Sequence, residues 1–355
     1  PVSPQVNPDR TVTFRFEAPS AKSVLLSAQF PGTPLPMEKD ESGIWSVTTG
    51  PVKPDLYPYN FIVDGLRVMD PGNPDFFPNE RFKASLVNIP GDTSLLHTPR
   101  NVPHGTVTYE YYPSTGITTG SLLVYTPPGY NRDLSVSYPV FYLAGGTTDT
   151  EETWFRAGRI NIILDNLIAE GKARPMIVVM PYGNIEGRNA AQTGQPKPDD
   201  PADREGIEAI IRAMTFEEDL LNFIIPFIES NYRVIKDSGN RAIGGFSRGG
   251  GQALRTGFGN MDKFAWICCY SAYLNEKEMK GTFNSVIAKP RVTNNTLRLL
   301  WVSVGKDDFL YKQTEEFMTF LKKKRVRHKS LITDGGHTWM NARLYFAETA
   351  KLLFQ

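Results

Sequence analysis

Cysteine is nearly missing from this 355-residue chain: there are two, Cys268 and Cys269, adjacent in the apolar run FAWICCY. Two adjacent thiols exclude a disulfide framework and a cysteine-based zinc site, both of which need thiols spaced along the chain. Histidine is scarce as well, so any imidazole base must be His97, His104, His328 or His337. Net charge is almost nil, with 39 basic residues against 38 acidic ones. That balance supplies no electrostatic reason to bind nucleic acid or an anionic membrane. No apolar run approaches a membrane-spanning length, and no signal peptide, internal repeat or low-complexity tract is visible. The chain begins PVSPQ without methionine, which reads as a processed or trimmed form. What is plentiful is turn formers, 30 glycines and 27 prolines beside 40% hydrophobic residues, which makes a loop-rich globular protein. The length suits two domains rather than one small core.

The two domains have different rhythms. In the first, TVTFRFEA alternates through Val12, Phe14 and Phe16, and SVLLSAQF, GIWSVTT and YPYNFIVDG follow as further short strands between turn residues. Residues 1–90 are therefore expected to form a β-sandwich, and 91–105 a linker. Residues 106–355 are expected to form an α/β domain of three layers. There VTYEYYP and SLLVYTP read as a strand pair. PVFYLAG, PMIVVMP, RAIGGF, FAWICCY and LRLLWVSVG are buried strands separated by helical segments. One segment, TFEEDLLNFIIPFIES, carries an apolar stripe and a capping box from Thr215 to Glu218; Pro226 predicts a kink or restart within it.

The stretch RAIGGFSRGGG reads as a strand, a sharp turn and the start of a helix, with Ser247 at the centre of a G-x-S-x-G pattern. In such an elbow the serine hydroxyl stands at the carboxyl edge of the sheet, and small neighbours let strand and helix approach. The bare pattern is common; its strand–turn–helix setting is what points to a nucleophile. A serine needs a base, and the base a carboxylate. His97 and His104 fall in the linker and read as solvated, and His328 lies in the basic run KKKRVRHK. His337, in TDGGHTW after a strand, is the natural base. Asp307 and Asp308 follow the strand LRLLWVSVG and neither is favoured by position alone; Asp262 and Asp334 are weaker candidates. For a developing oxyanion, one donor is the amide of Arg248, the other an amide of Gly145, Gly146 or Thr147 in the loop AGGTTD.

Together HGTVTYEYYPS, VYTPPGY, PVFYLAGG, VVMPYGN, FEEDLLNFIIPFIESNYRV, GGFSRGGGQA, VGKDDFLY and GGHTW resemble the feruloyl and acetylxylan esterases of carbohydrate esterase family 1, the esterase D-like branch of the α/β hydrolases. The resemblance spans roughly 104 to 355. It implies an α/β-hydrolase fold, supports Ser247 and His337, and selects Asp308 as the acid from the G-x-x-D element. The chain departs from many relatives in having Ala144 before Gly145-Gly146, and Arg248 where methionine is common after the nucleophile. The Arg248 guanidinium either reaches over the pocket or forms a surface ion pair. GIWSV and YPYNFIVDGLRVMDPGNP resemble the early-set, immunoglobulin-like modules of carbohydrate-binding family 48, which implies glycan binding by the front domain. Trp45 is either a sugar platform or core.

The expected protein is a serine esterase releasing ferulate or related hydroxycinnamates from arabinoxylan, with acetylxylan esterase as the near alternative. A non-catalytic glycan-binding protein is the alternative of another class. Trp154, Tyr182 and Trp339, with Arg248, are the candidate substrate contacts; each ring could equally be core. Acyl transfer of this kind needs no cofactor or metal. The partners are feruloylated or acetylated xylan and its oligosaccharides, without nucleic acid or membrane insertion. Polymers do not enter cells, so a secreted or periplasmic location is implied.

Overall fold

The computed structural model describes residues 2–91, 95–114, 117–185, 216–272, 274, 278, 281, 283 and 288–355. Alternating apolar residues in the first 90 positions build two antiparallel sheets. One runs in the order β1 (Gln5–Val6), β2 (Val12–Glu17), β6 (Ile44–Thr48), β5 (Glu38–Lys39). The other runs β4 (Leu35–Pro36), β3 (Val24–Ala28), β7 (Asp55–Val63), β10 (Ala84–Ile89), β9 (Phe76–Phe77), with β8 (Leu66–Val68) paired to β7. Side chains of a strand alternate between faces. Val12, Phe14 and Trp45 from the first sheet accordingly meet Leu26, Tyr59, Phe61 and Val87 from the second in one aromatic core. Trp45 belongs to that core, with its Nε1 donating to the carbonyl of Ala18 at 2.9 Å.

The alternate residues of β7 and β10 face the other way. Leu56, Ala84 and Leu86 join Phe77, Trp154, Trp339 and Phe346 in a cluster that belongs equally to the second domain. Strand β10 thus has apolar partners on both faces, and the two parts of the chain share a core.

The second domain carries an eight-stranded sheet ordered β11 (Thr106–Ser114), β12 (Ile117–Thr126), β14 (Ile177–Pro181), β13 (Val140–Ala144), β15 (Arg241–Phe246), β16 (Trp266–Tyr270), β17 (Leu299–Gly305), β18 (Lys329–Thr333). β11 and β12 form an antiparallel pair and β12 meets β14 antiparallel; from β14 onward every pairing is parallel. The helices Ile160–Ala169 and Trp339–Ala350 cover one face. Arg248–Gly259, Tyr311–Lys323 and the helical segments from Phe216 to Asn231 cover the other. Burial on both faces explains why these strands read as unbroken apolar runs. Cys268 and Cys269 show the consequence: adjacent on β16, they enter opposite core layers and cannot meet.

Pro226 sits at the start of the helix Ile225–Asn231, directly after a π-helical turn at Leu220–Ile224. The wider turn accommodates the residue that has no amide to donate. The capping residue expected before it, Thr215, lies outside the described residues.

Of the two histidines expected to be solvated, His104 is exposed and His97 is not. His97 is buried, its Nε2 3.5 Å from Asp55. His104 Nδ1 lies 2.8 Å from Asp165 Oδ2. Asp165 and Asn166, both buried on the helix Ile160–Ala169, pin this segment: Asn166 Nδ2 donates to the carbonyls of Leu96 and Thr98, and Asp165 accepts from the amide of Gly105. The described part of the connecting segment is packed chain, not a free tether.

Candidate active site

The carboxyl ends of parallel strands gather loops at one sheet edge. Three of them carry the residues of interest. Strand β15 ends at Phe246, and Ser247 turns the chain into the helix Arg248–Gly259 with φ +57° and ψ −118°. This left-handed conformation costs a non-glycine residue on the order of 1–3 kcal/mol and persists only where packing over-determines it. The packing comes from two glycines. A Cβ on Gly249 would lie 2.3 Å from the carbonyl oxygen of Gly145, and one on Gly245 2.5 Å from the carbonyl carbon of Gly249. The amide of Arg248 is the first of the helix and has no acceptor within it.

Strand β17 delivers Asp308, buried, and strand β18 delivers His337 just before Thr338 caps the last helix. His337 Nδ1 is 2.8 Å from Asp308 Oδ2, while Asp308 Oδ1 accepts from the amide of Leu310 at 2.8 Å. Burial alone would raise the Asp308 pKa. The hydrogen bonds from His337 and Leu310 outweigh it and hold the carboxyl below its usual range. Asp307 is exposed, Asp334 pairs with Lys306, and Asp262 lies beside Lys263, so of the four acids only Asp308 reaches the imidazole. The ring of His337 is stacked on Phe246, the residue before the serine, at 4.5 Å between centroids. Ser247 directly follows that Phe246 in the chain, which sets it on the side of the sheet edge where the imidazole packs; a contact between nucleophile and base commonly tightens only with substrate in place.

The loop after β13 lies beside the elbow: a Cβ on Gly146 would come within 3.5 Å of Ser247 Cβ. Its amide, one of three candidate oxyanion donors, donates instead to Asp149 Oδ2 at 2.6 Å. Of the expected trio, Gly145 and Thr147 remain. Burial pushes the Asp149 carboxyl up to about 7, against the opposing pull of the Gly146 amide, the Asn79 side chain and His337.

Two of the expected substrate contacts are corrected. Trp154 is fully buried, its Nε1 bonded to the carbonyl of Ala144, and Trp339 packs against Trp154, Phe246 and Phe77. A ring without open surface cannot stack on a ligand; both serve as the floor beneath the loops. Tyr182, 9% exposed, is almost closed off as well. The Arg248 guanidinium turns to Asn184, donating from Nη1 to Oδ1 at 2.8 Å, and Asn184 in turn donates to Glu80.

The aromatic surface lies elsewhere. Phe309, immediately after Asp308, is 76% exposed with its ring 4.5 Å from that of His337. Its position in a loop after a strand was readable from the sequence. Asn79 and Glu80, which reach the site from the front domain, carried no such signal.

A family model for putative esterases matches residues 119–343. The chain belongs to that esterase family. This esterase is 32% identical over 255 residues to an endo-1,4-beta-xylanase/feruloyl esterase of Xylanibacter ruminicola, covering 70% of its own length and 33% of the relative. It therefore spans about a third of that protein. Among solved structures, it is similar in fold to a CE1 ferulic acid esterase from Anaeromyces mucronatus, with TM-score 0.58 and 20% identity over 75% of this chain and 96% of that one. The enterobactin esterase of Shigella flexneri matches at TM-score 0.67 and 15% identity, over 97% of this chain and 93% of that one. The second likeness takes in the front β region as well as the α/β-hydrolase domain. The esterase thus combines an N-terminal β-rich region with a mixed α/β domain. Among the described residues no helix is long and apolar enough to cross a membrane.

Proposed function

We propose that this chain is a serine esterase that releases hydroxycinnamates such as ferulate from plant cell-wall arabinoxylan, working outside the cell that makes it. The observation that carries the reading is the strained Ser247 elbow beside an imidazole held by a buried, ionised Asp308. In the proposed reaction Ser247 Oγ attacks the ester carbonyl as His337 takes its proton. Asp308 holds the imidazole Nδ1–H and stabilises the imidazolium. The amide of Arg248 and one from Gly145 or Thr147 stabilise the oxyanion, each worth about 3 kcal/mol at the transition state. His337 then protonates the departing sugar alcohol, and water releases the acid from the acyl-enzyme.

The exposed Phe309 ring beside His337 supports an aryl rather than an acetyl ester, since it offers a flat apolar surface next to the reacting centre. The name of the Xylanibacter ruminicola relative supports the same substrate class. We extend the proposal to domains at 1–90, 91–105 and 106–355, and to an early-set, carbohydrate-binding family 48-like identity for the front domain. Trp45 lies in that domain's core, so it supplies no sugar platform. The test is kcat/KM on methyl ferulate against 4-nitrophenyl acetate for the wild type and Ser247→Ala. Ferulate ester is expected to be preferred and the variant inactive. Dominant acetate release overturns the aryl reading, and equal activity of the two proteins overturns the nucleophile.

A further inference from the structure

Asn79 lies in the front domain, 168 positions before the elbow serine in the chain, yet its side chain ends in the loop beside Ser247. It is buried and uses both ends of its amide. Nδ2 donates to Asp149 Oδ1 at 2.9 Å, and Asp149 Oδ2 takes the amide of Gly146. Oδ1 accepts from the Thr148 hydroxyl at 2.9 Å and from the amides of Arg81 and Phe82, each at 2.9 Å. The backbones are joined too: Asn79 and Asp149 form an antiparallel bridge, and the amide of Glu80 donates to the carbonyl of Thr148 at 2.7 Å.

These contacts do more than join two domains. Apolar packing through Leu56, Phe77 and Leu86 already does that, as does Arg343, which donates to Asp55 and to the carbonyl of Leu56. The Asn79 contacts that leave its own turn converge on one loop, and on its strained member: Thr148 has φ +63°. A β-branched residue in that region needs outside restraint. Asp149 is equally dependent, because a buried carboxylate oxygen that loses its donor carries a desolvation penalty. Without Asn79, loop and carboxylate would both relax, and the loop carries the candidate oxyanion amides.

We propose that Asn79 is a positioning residue for acyl transfer, through which the front domain sets the geometry of the loop Gly145–Asp149. This rests on the serine-esterase reading above. The pairing is polar and reversible in sense, which gives a direct test. Asn79→Asp faces two carboxylates at the 2.9 Å contact, and Asp149→Asn faces two amide donors. The double variant restores one donor and one acceptor while still accepting from Thr148, Arg81, Phe82 and Gly146. With 4-nitrophenyl acetate, each single variant is expected to lose about 100-fold in kcat with little change in KM, the scale of a 1 Å misplacement. The double variant is expected to recover most of that loss, a coupling that independent sites do not show. Thermal melts accompany the kinetics. Lower melting temperatures with wild-type kcat, or a double variant as slow as the two losses combined, overturn the positioning role. Inactive wild type, unlabelled at Ser247 by a fluorophosphonate, overturns the underlying reading and this inference with it; active, labelled wild type with normal single variants overturns this inference alone.

Discussion

The two sheets of the front domain are built from the same kind of alternating strand, yet they live in different surroundings. On β2, Val12 and Phe14 are buried while the intervening Thr13 and Arg15 keep contact with water. On β10, alternate residues enter two different cores, Val87 and Ile89 inward, Ala84 and Leu86 toward the hydrolase domain. The first sheet is the wall of a domain; the second is also an added layer on its neighbour. A β-strand can serve both roles because its period of two presents an independent surface to each side. The difference means that the front domain should not behave as a detachable module, and each prediction below probes that.

The largest effect is expected from removing residues 1–90. Leu56, Phe77, Ala84 and Leu86 leave the shared cluster, uncovering Trp339 and the floor of the candidate site's loops. Residues 106–355 alone should fail to give a soluble, cooperatively unfolding protein; a folded fragment with wild-type esterase activity would break the comparison. Next in size is Arg343, buried on the last helix and donating to Asp55, Leu56 and Ala157. Arg343→Ala should cost about 3–5 kcal/mol in urea unfolding, the range for breaking a buried ion pair. A loss confined to the front domain, seen as a separate early transition, would instead indicate independent units.

Leu86→Ala should cost about 2–4 kcal/mol as a large-to-small change in a core. Thr13→Ala on the wet face should stay within about 0.5 kcal/mol. Equal losses for the two would erase the contrast. The last effect concerns pH. Burial and the Arg343 charge push the His97 pKa down from 6.5 to about 4, with Asp55 opposing. A base with a depressed folded pKa is neutral in the native state, so stability is fully present above 6.5 and falls as the unfolded chain takes up protons between 6.5 and 4. His97→Gln should flatten that slope by on the order of 1–2 kcal/mol, measured by melts across the window.

Legibility in the sequence followed the range of the interactions concerned. The elbow is local: a strand, a serine flanked by Gly245 and Gly249, and a helix are contiguous, so its pattern could be read directly. The hydrolase strands could be read because burial on both faces leaves continuous apolar runs. Strand β10 escaped notice, since ASLVNI looks neither alternating nor uniformly apolar until its two faces are assigned to different cores. Position alone left Asp307 and Asp308 equal. The structure separates them, because only one carboxylate can turn inward to the imidazole. The aromatic candidates failed for a related reason. Tryptophan in a loop is equally suited to a ligand or a floor, and Trp154 and Trp339 pack on one another at 4.7 Å.

The order of residues along the chain was enough to establish a β-rich front, an α/β body and a serine on a tight strand-to-helix turn, because each rests on side chains a few positions apart. It could not reveal that Asn79 braces the loop next to Ser247, that Phe309 rather than a tryptophan lies open beside His337, or that the front sheet closes the hydrolase core. Those facts depend on which surfaces meet once every strand has chosen its faces. Such meetings are settled by burial and hydrogen-bond pairing between distant segments, for which sequence separation carries no information.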